Sequence, residues 1–179
     1  MTALALAAHR PAELRLPRVL AGISHYDVAS LGDHEERYGP LPSWGQSGRR
    51  RPGRLIDVVD ASGLTGRGGA GFPTGRKLRS VAAGPGAAVV VANGAEGEPA
   101  SCKDRLLLTR LPHLVLDGIT LAAHAVRARS AYLCVHGQET ELLGALADAL
   151  AERRALDLDP VHQLRRRIGK RLVTFAEGH

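Results

Sequence analysis

Residues 63–77 read GLTGRGGAGFPTGRK, a stretch with six glycines that also carries Arg67, Arg76 and Lys77. Glycine adopts positive φ without strain and lets a ligand approach the main chain closely. Amide N–H groups exposed in such a stretch form a concave site for anions, and neighbouring cationic side chains add charge that pairs with phosphate. The stretch therefore predicts a glycine-rich loop that holds the phosphate of a cofactor.

Residues 93–105 read NGAEGEPASCKDR and are a second candidate segment. Asn93 supplies an amide, and Glu96 and Glu98 lie two residues apart in a glycine-containing loop, where both could face one pocket. A solvated acidic turn is the alternative, because this spacing alone does not indicate an acid–base pair. We expect this segment to line the reactive end of the bound cofactor.

Around these two segments the hydrophobic pattern predicts alternating strands and helices. Residues 87–92 (AAVVVA) and 131–135 (AYLCV) are short apolar runs, which predict two strands, the first of them buried. Residues 112–127 and 139–154 are predicted helices, with inward residues Val115, Ile119, Ala122 and Val126 in the first and Leu142, Leu146, Ala149 and Leu150 in the second. This order predicts right-handed βαβ units with a parallel sheet.

Shorter elements are predicted on either side of this unit. Helical segments are predicted at residues 15–20, 30–38, 55–61 and 76–82 (the last as a helix or an ordered turn), a loop or linker at 40–53, and a third strand at 172–176. We therefore expect residues 1–53 to form an arm and linker with a short helix, and residues 54–179 to form the α/β domain.

The net charge of +6 is concentrated near the glycine-rich loop, because residues 49–79 hold eight Lys or Arg and two Asp. This location favours a small phosphate-bearing ligand. Nucleic acid is the alternative, but with 3% aromatic residues no stacking set accompanies the basic ones. The two cysteines and the scattered histidines predict no disulfide framework and no metal site. No window reaches transmembrane length, so we expect a cytoplasmic protein.

General nucleotide-binding motifs do not identify the ligand of this loop more closely. Gly66, Gly68 and Gly71 match the G-x-G-x-x-G spacing of dinucleotide-binding loops, but the preceding segment is predicted to be helical where that motif requires a strand. The Gly-Lys-Ser/Thr ending of a P-loop is lacking. Phe72 either packs beneath the loop or stacks on a nucleotide base. A flexible surface loop is the alternative reading, and the local positive charge disfavours it.

The combination of GLTGRGGAGFPTGRK, NGAEGEP, KDR and PHLVLDG resembles the flavin- and NADH-binding flavoprotein of respiratory complex I, and related flavoproteins of NAD-dependent hydrogenases and formate dehydrogenases. The resemblance covers roughly residues 55–137. It implies a Rossmann-like, three-layer α/β domain with a short, mostly parallel sheet, and FMN and NAD(H) as cofactors. It also implies that NADH passes a hydride to FMN, for onward electron transfer through iron–sulfur clusters to quinone or another acceptor.

The resemblance also implies roles for individual residues. Lys77 would help to hold the FMN phosphate, and Phe72 would stack on the adenine of NADH. Asn93 and Glu96 would hydrogen-bond the flavin, and Glu98 would line the nicotinamide pocket as the catalytic residue. The remaining cofactor contacts would come from Gly66, Arg67, Gly68, Gly69, Ala70, Gly71 and Gly75.

The chain departs from the family pattern in ways that bear on activity. The family's flavin-contacting Asp is missing from the segment Asn93–Glu96, Cys102 stands at a usual Phe, and the later Gly-Glu-Glu motif, Asn-Asn motif and cluster cysteines are lacking. We therefore expect a truncated family domain without the 4Fe-4S cluster, working with an electron-transfer subunit that carries iron–sulfur clusters. A catalytically inactive family member, or a nucleotide-phosphate-binding module, is the alternative.

Overall fold

The computed structural model describes residues 19, 28–41, 52–67, 70–96, 100–135, 139–155 and 171–176. The elements within these ranges follow the chain in the order α1 (Leu31–Tyr38), α2 (Pro52–Ala61), α3 (Thr74–Ala82), β1 (Val89–Asn93), α4 (Lys103–Arg110), α5 (Pro112–Val126), β2 (Ser130–Val135), α6 (Thr140–Ala155) and β3 (Arg171–Ala176). The helices and strands predicted within these ranges are confirmed, with ends that differ by a few residues. The helical turn predicted at residues 15–20 lies, except for residue 19, outside the described residues.

Helix α4 is the element that the sequence pattern did not predict. Cys102, at its N-cap position, makes no hydrogen bond that caps the helix. The only apolar residues of the helix are three consecutive leucines, of which Leu106 is exposed and Leu108 is buried. Because neither a capping residue nor a helical spacing of apolar residues marks it, tertiary packing decides this helix.

The three described strands form one sheet in the order β1-β2-β3. Strands β1 and β2 are parallel, with Val91 opposite Tyr132, and this pair confirms the predicted parallel strands. Strand β3 pairs with β2 in the antiparallel direction, with Val173 opposite Leu133, so parallel pairing does not extend across the sheet. A strand's own residues do not encode its direction, because either ladder uses the same backbone groups.

The main core lies between one face of the sheet and the helices. Burial alternates along β2, where Ala131, Leu133 and Val135 are buried while Tyr132 and Cys134 are only half-buried. The buried strand residues pack with residues of α4, α5 and α6, including the predicted inward residues of α6, Leu142, Leu146, Ala149 and Leu150. These α6 predictions are therefore confirmed.

The opposite face of β1 is uncovered, since Val89 and Val91 are 52% and 61% exposed. The prediction of a buried strand is therefore correct for only one face of β1. The third layer of the expected three-layer sandwich is likewise not formed over these valines in the part of the chain that the structure describes. The fold is a partial Rossmann-like α/β arrangement.

A smaller apolar cluster joins α2 and α3 to α5. Its buried members are Leu55 and Ile56 of α2 and Ala125 of α5, and Leu78 of α3 packs against both this cluster and the main core. The cluster thus fixes α3, and with it the loop that leads into α3, against the same helix that covers the sheet.

Two contacts orient these elements. An Arg127 guanidinium nitrogen donates to the carbonyl oxygen of Ala82 at 3.4 Å, which places the C-terminal ends of α5 and α3 together. The Arg129 N–H donates to the carbonyl oxygen of Ala88 at 2.9 Å, where β1 and β2 begin. The C-terminal end of α3 thus lies near the start of β1. Its N-terminal end therefore lies toward the opposite end of the domain, where β1 ends at Asn93.

The length and hydropathy of the helices decide whether any of them could cross a membrane. Within the described ranges, no helix is long and apolar enough to cross a bilayer by itself. Helices α4 and α5 meet that requirement only in combination, and the chain bends by 99° between them.

We expect Leu133→Ala to lower the free energy of unfolding by about 2–5 kcal/mol, because Leu133 is 1% exposed and its loss would leave a cavity in the main core. Val91→Ala, on the uncovered face of the neighbouring strand, should cost less than about 1 kcal/mol. Urea unfolding of both variants measures the difference. Equal costs would show that the sheet faces are assigned incorrectly.

Candidate functional site

The glycine-rich loop is closed at its base by backbone pairing. Thr65 and Pro73 form an isolated antiparallel bridge. The Gly66 N–H donates to the carbonyl oxygen of Phe72 at 2.9 Å, and the Thr74 N–H donates to that of Leu64 at 2.9 Å. The Gly66 amide is thus engaged within the loop, so a contact between Gly66 and a ligand would have to use its carbonyl or its Cα.

The tip of the loop faces solvent. Arg67, Ala70 and Gly71 are exposed, and Gly71 has a φ of 55°, a conformation that favours glycine. Phe72 is 52% exposed, and the Arg76 guanidinium carbon lies 5.8 Å from the centre of its ring. Phe72 therefore does not pack beneath the loop. Gly68 and Gly69 lie outside the described residues.

The N-terminus of α3, directly after the loop, carries an unusual concentration of positive charge. Its first turn contains no acidic residue, and Pro73 at the N-cap position makes no side-chain hydrogen bond to the helix. Arg76 and Lys77 are both exposed there. A helix N-terminus carries a partial positive charge, so cations beside it are unfavourable unless an anion is bound. This end of α3 is suited to a phosphate.

Gly75 has a packing role that its sequence context did not indicate. It is buried, and a Cβ at this position would lie 2.6 Å from the Cα of Asp60 in α2. Such a distance is too short for a carbon atom, and the neighbouring atom belongs to the backbone. The absence of a side chain at Gly75 therefore allows the close approach of α3 to α2. Any contact between Gly75 and a cofactor would be made by its backbone atoms.

The second segment begins where β1 ends. The Asn93 side-chain oxygen accepts the Ala95 N–H at 3.1 Å, which turns the chain sharply after the strand. The Gly94 N–H donates to the carbonyl oxygen of Cys134 at 2.8 Å and so continues the parallel ladder. Asn93 is itself exposed and lies at the carboxyl end of a parallel strand, where ligands bind in open α/β sheets.

Glu96 is held by the residues that follow it. The Ser101 hydroxyl donates to its carboxylate, and the Lys103 ammonium lies 3.3 Å from the same oxygen. These contacts lower the pKa of Glu96, the Ser101 hydrogen bond most strongly. Lys103 also contacts Asp104 at 2.8 Å, and both carboxylates raise the pKa of the Lys103 ammonium. Glu96 is therefore an ionised, fixed hydrogen-bond acceptor at neutral pH.

Sequence reasoning identified Glu96 but not the Ser101 and Lys103 contacts that fix it. These residues lie five and seven positions after Glu96, across an irregular segment. Neither helical nor strand periodicity therefore predicts that they contact Glu96. Glu98, the predicted catalytic residue, lies outside the described residues. The glycine-rich loop and the segment after β1 both lie toward the end of the domain where β1 ends.

The fold and the cationic helix end define a partial α/β domain suited to binding a nucleotide phosphate. Comparison with known proteins specifies the family. Residues 59–170 match the model of the Nuo51 FMN-binding domain, and the chain belongs to this family.

Individual relatives agree with this family. The chain is 41% identical over 103 residues to the F subunit of the NADH-quinone oxidoreductase of Aquifex aeolicus, and 42% identical over 109 residues to that of Mycobacterium bovis. Both alignments cover 58% of this chain and 24% of the relative, so the chain spans about a quarter of their length. A crystal structure of an NAD+-reducing NiFe-hydrogenase matches with a TM-score of 0.52 and 38% identity, over 59% of this chain and 19% of the hydrogenase chain.

We expect Gly75→Ala to destabilise the protein by about 1–3 kcal/mol, because the added methyl group would force α3 away from α2. The matched control is Gly86→Ala, in the turn after α3, where an added Cβ would meet no atom within 4 Å. The control should change stability by less than about 0.5 kcal/mol. Thermal or urea unfolding distinguishes the two, and an unchanged Gly75→Ala variant would contradict the packing role.

Proposed function

We propose that this chain is the FMN-binding part of an NADH dehydrogenase-type flavoprotein, with residues 54–179 as the FMN- and NADH-binding domain. Bound FMN would supply the redox chemistry, accepting a hydride from NADH for onward electron transfer to iron–sulfur centres and a quinone or other acceptor. The protein's part is to bind, orient and shield the reactants. The site requires no side-chain nucleophile for this reaction.

The observation that carries the proposal is the anion-suited start of α3. Arg76 and Lys77 stand at a helix N-terminus without an acidic residue or a side-chain cap, directly after the exposed loop tip. Without a bound anion this arrangement does not stabilise the helix, because the cations oppose the helix dipole. A phosphate would satisfy both the dipole and the side-chain charge.

Each candidate residue has a role within this proposal. Lys77 would pair with the FMN phosphate, and the exposed ring of Phe72 would stack on the adenine of NADH. At the other segment, Asn93 would donate or accept hydrogen bonds at the flavin, the ionised Glu96 would accept them, and Glu98 would line the nicotinamide pocket. The loop residues Arg67, Gly68, Gly69, Ala70 and Gly71 would surround the cofactor, with Gly66 and Gly75 shaping the loop behind them.

We further propose that a partner completes the site. The relatives are themselves named as subunits, and Val89 and Val91 leave one face of β1 uncovered. Parallel strands normally have both faces covered, so further polypeptide on this face would complete the layers. The proposed partner is a cytoplasmic electron-transfer subunit with an iron–sulfur cluster that would take electrons from the flavin.

A catalytically inactive family member, or a module that binds only nucleotide phosphate, is the second candidate. It is favoured by the departures near the flavin position, where Gly94 and Ala95 precede Glu96.

Under both candidate functions, the purified chain alone should contain little flavin, and its visible absorption spectrum measures the flavin content. A preparation with stoichiometric bound flavin would contradict the incomplete site.

The phosphate site is tested by comparing FMN with riboflavin, which lacks the phosphate. Lys77→Gln should weaken FMN binding by about 10- to 100-fold, the range for a hydrogen bond to a charged group, and leave riboflavin binding unchanged. Arg79→Gln is the matched control, because it removes one positive charge farther along α3, where Arg79 pairs with Asp57 and Asp60. Fluorescence titration gives the affinities. Equal effects of the two substitutions would leave only a general charge effect and reject the site.

Catalysis is tested separately. Once both FMN and the partner subunit are supplied, the chain should catalyse NADH-dependent reduction of ferricyanide, and Glu98→Gln should abolish this activity without weakening FMN binding. Glu36→Gln, an exposed change on α1, serves as the control and should retain full activity. Full activity in Glu98→Gln would remove this residue from the mechanism, and FMN binding without any turnover in the unaltered chain would support the binding-module alternative.

A further inference from the structure

A group of ionisable side chains, all buried or nearly so except the 44% exposed Glu152, lies outside the proposed cofactor site, where α1 packs against α5 and α6. His34, His113 and Arg153 are 2%, 1% and 5% exposed, respectively. Asp117 and Glu152 complete the group, which has no role in the proposed reaction. Helix α1 also lies before the part of the chain that matches the family, residues 59–170.

Two carboxylates attach α1 to the rest of the protein. Glu152 accepts the Leu31 backbone N–H at 2.7 Å, and Asp117 pairs with His34 Nε2 at 2.8 Å. The Ala29 N–H, which donates to the carbonyl oxygen of Arg110 at 3.0 Å, adds a backbone contact. The only buried apolar residue of α1 is Leu31, so polar contacts provide much of the attachment.

The same two carboxylates are held by His113 and Arg153. Asp117 contacts an Arg153 guanidinium nitrogen at 2.5 Å, and Glu152 lies 3.2 Å from His113 Nε2. Arg153 also donates to the backbone carbonyl of His113 at 3.0 Å. Although burial acts to raise it, the hydrogen bonds from His34 and Arg153 lower the pKa of Asp117, so Asp117 is ionised. The attachment of α1 therefore depends on the arrangement of His113 and Arg153.

Hydrogen bonding determines the protonation state of His113. Arg153 Nε–H donates to His113 Nδ1 at 3.2 Å, so this ring nitrogen is the acceptor and carries no proton. The proton of the neutral ring is then on Nε2, from which it is donated to Glu152. A second proton could bind only at Nδ1, where it would face the Arg153 guanidinium and break its hydrogen bond.

We propose that His113 couples the docking of α1 to pH: the neutral ring holds α1 on α5 and α6, and protonation of Nδ1 releases it. The groups around the ring are His34 on α1, Asp117 on α5, and Glu152 and Arg153 on α6, with the two histidine rings 5.9 Å apart. A proton on Nδ1 displaces the Arg153 side chain, and this movement takes the guanidinium away from Asp117, the carboxylate that pairs with His34 of α1.

The direction of the effect follows from proton linkage. Burial, reinforced by the Arg153 charge, lowers the pKa of His113 below its usual value of 6.5. The docked state thus binds this proton more weakly than the released state. Docking is fully stabilised above that usual value and weakens as the pH falls below it, by at most about tenfold per pH unit for one linked proton. Since α1 has only eight residues, it should lose much of its helical structure when released.

Hydrogen exchange of the full chain, corrected for the intrinsic effect of pH, tests the proposal. Backbone amides of α1 should lose protection between pH 7.5 and 5.5, whereas those of β2 stay protected. His113→Asn should remove this pH dependence, because the Asn oxygen can accept from Arg153 but does not titrate. His124→Asn, a histidine change elsewhere on α5, should retain it.

Several results would overturn the proposal. These are α1 protection that does not change with pH, loss of protection in α1 and β2 together, or an unaltered pH response in His113→Asn. If His113→Asn fails to fold, the imidazole nitrogen chemical shifts of the unaltered protein provide the test. Protonation of His113 should then coincide with loss of α1 protection, and a protonated His113 with α1 still docked would reject the coupling.

Discussion

The burial of α5 on several sides is the constraint on which the rest of the structure depends. This helix contacts the other five described helices and both parallel strands. Leu116 and Ile119 pack in the main core with the sheet, Ala125 packs with α2, and His113 and Asp117 face α1. Because α5 contacts all of these elements, a shift of this helix would disturb the sheet, the support of the glycine-rich loop and the attachment of α1 together.

Charged side chains are concentrated in two regions of the protein, and they are exposed in one region and paired with each other in the other. At the start of α3, Arg76 and Lys77 are exposed beside a positive helix end, where their charges oppose the helix dipole. Beneath α1, buried charges are paired within the chain, with Arg153 between Asp117 and His113. The first region thus presents its positive charge to solvent, whereas the second holds its charges in contacts within the chain.

Much of the fold was predictable because its helices and strands carry regular apolar spacing. The prediction was less accurate for α5, where Ile119 and Val126 are buried but Val115 and Ala122 are only half-buried, and Leu116 and Ala123 are buried instead. A single-face pattern cannot describe a helix that is covered from several sides. Helix α4 escaped prediction for a related reason, since its three adjacent leucines have no helical spacing.

The sequence by itself determined the glycine-rich loop, the concentration of positive charge around it and membership in a flavoprotein family, because these depend on residue types at short spacing. Only the tertiary structure decided that Gly75 packs on Asp60, that Ser101 and Lys103 fix Glu96, and that β3 runs antiparallel to β2. It also decided the cluster of His34, His113, Asp117, Glu152 and Arg153. One contact within it, between His34 and Asp117, joins residues 83 positions apart, and no local pattern encodes the path of the chain that brings them together.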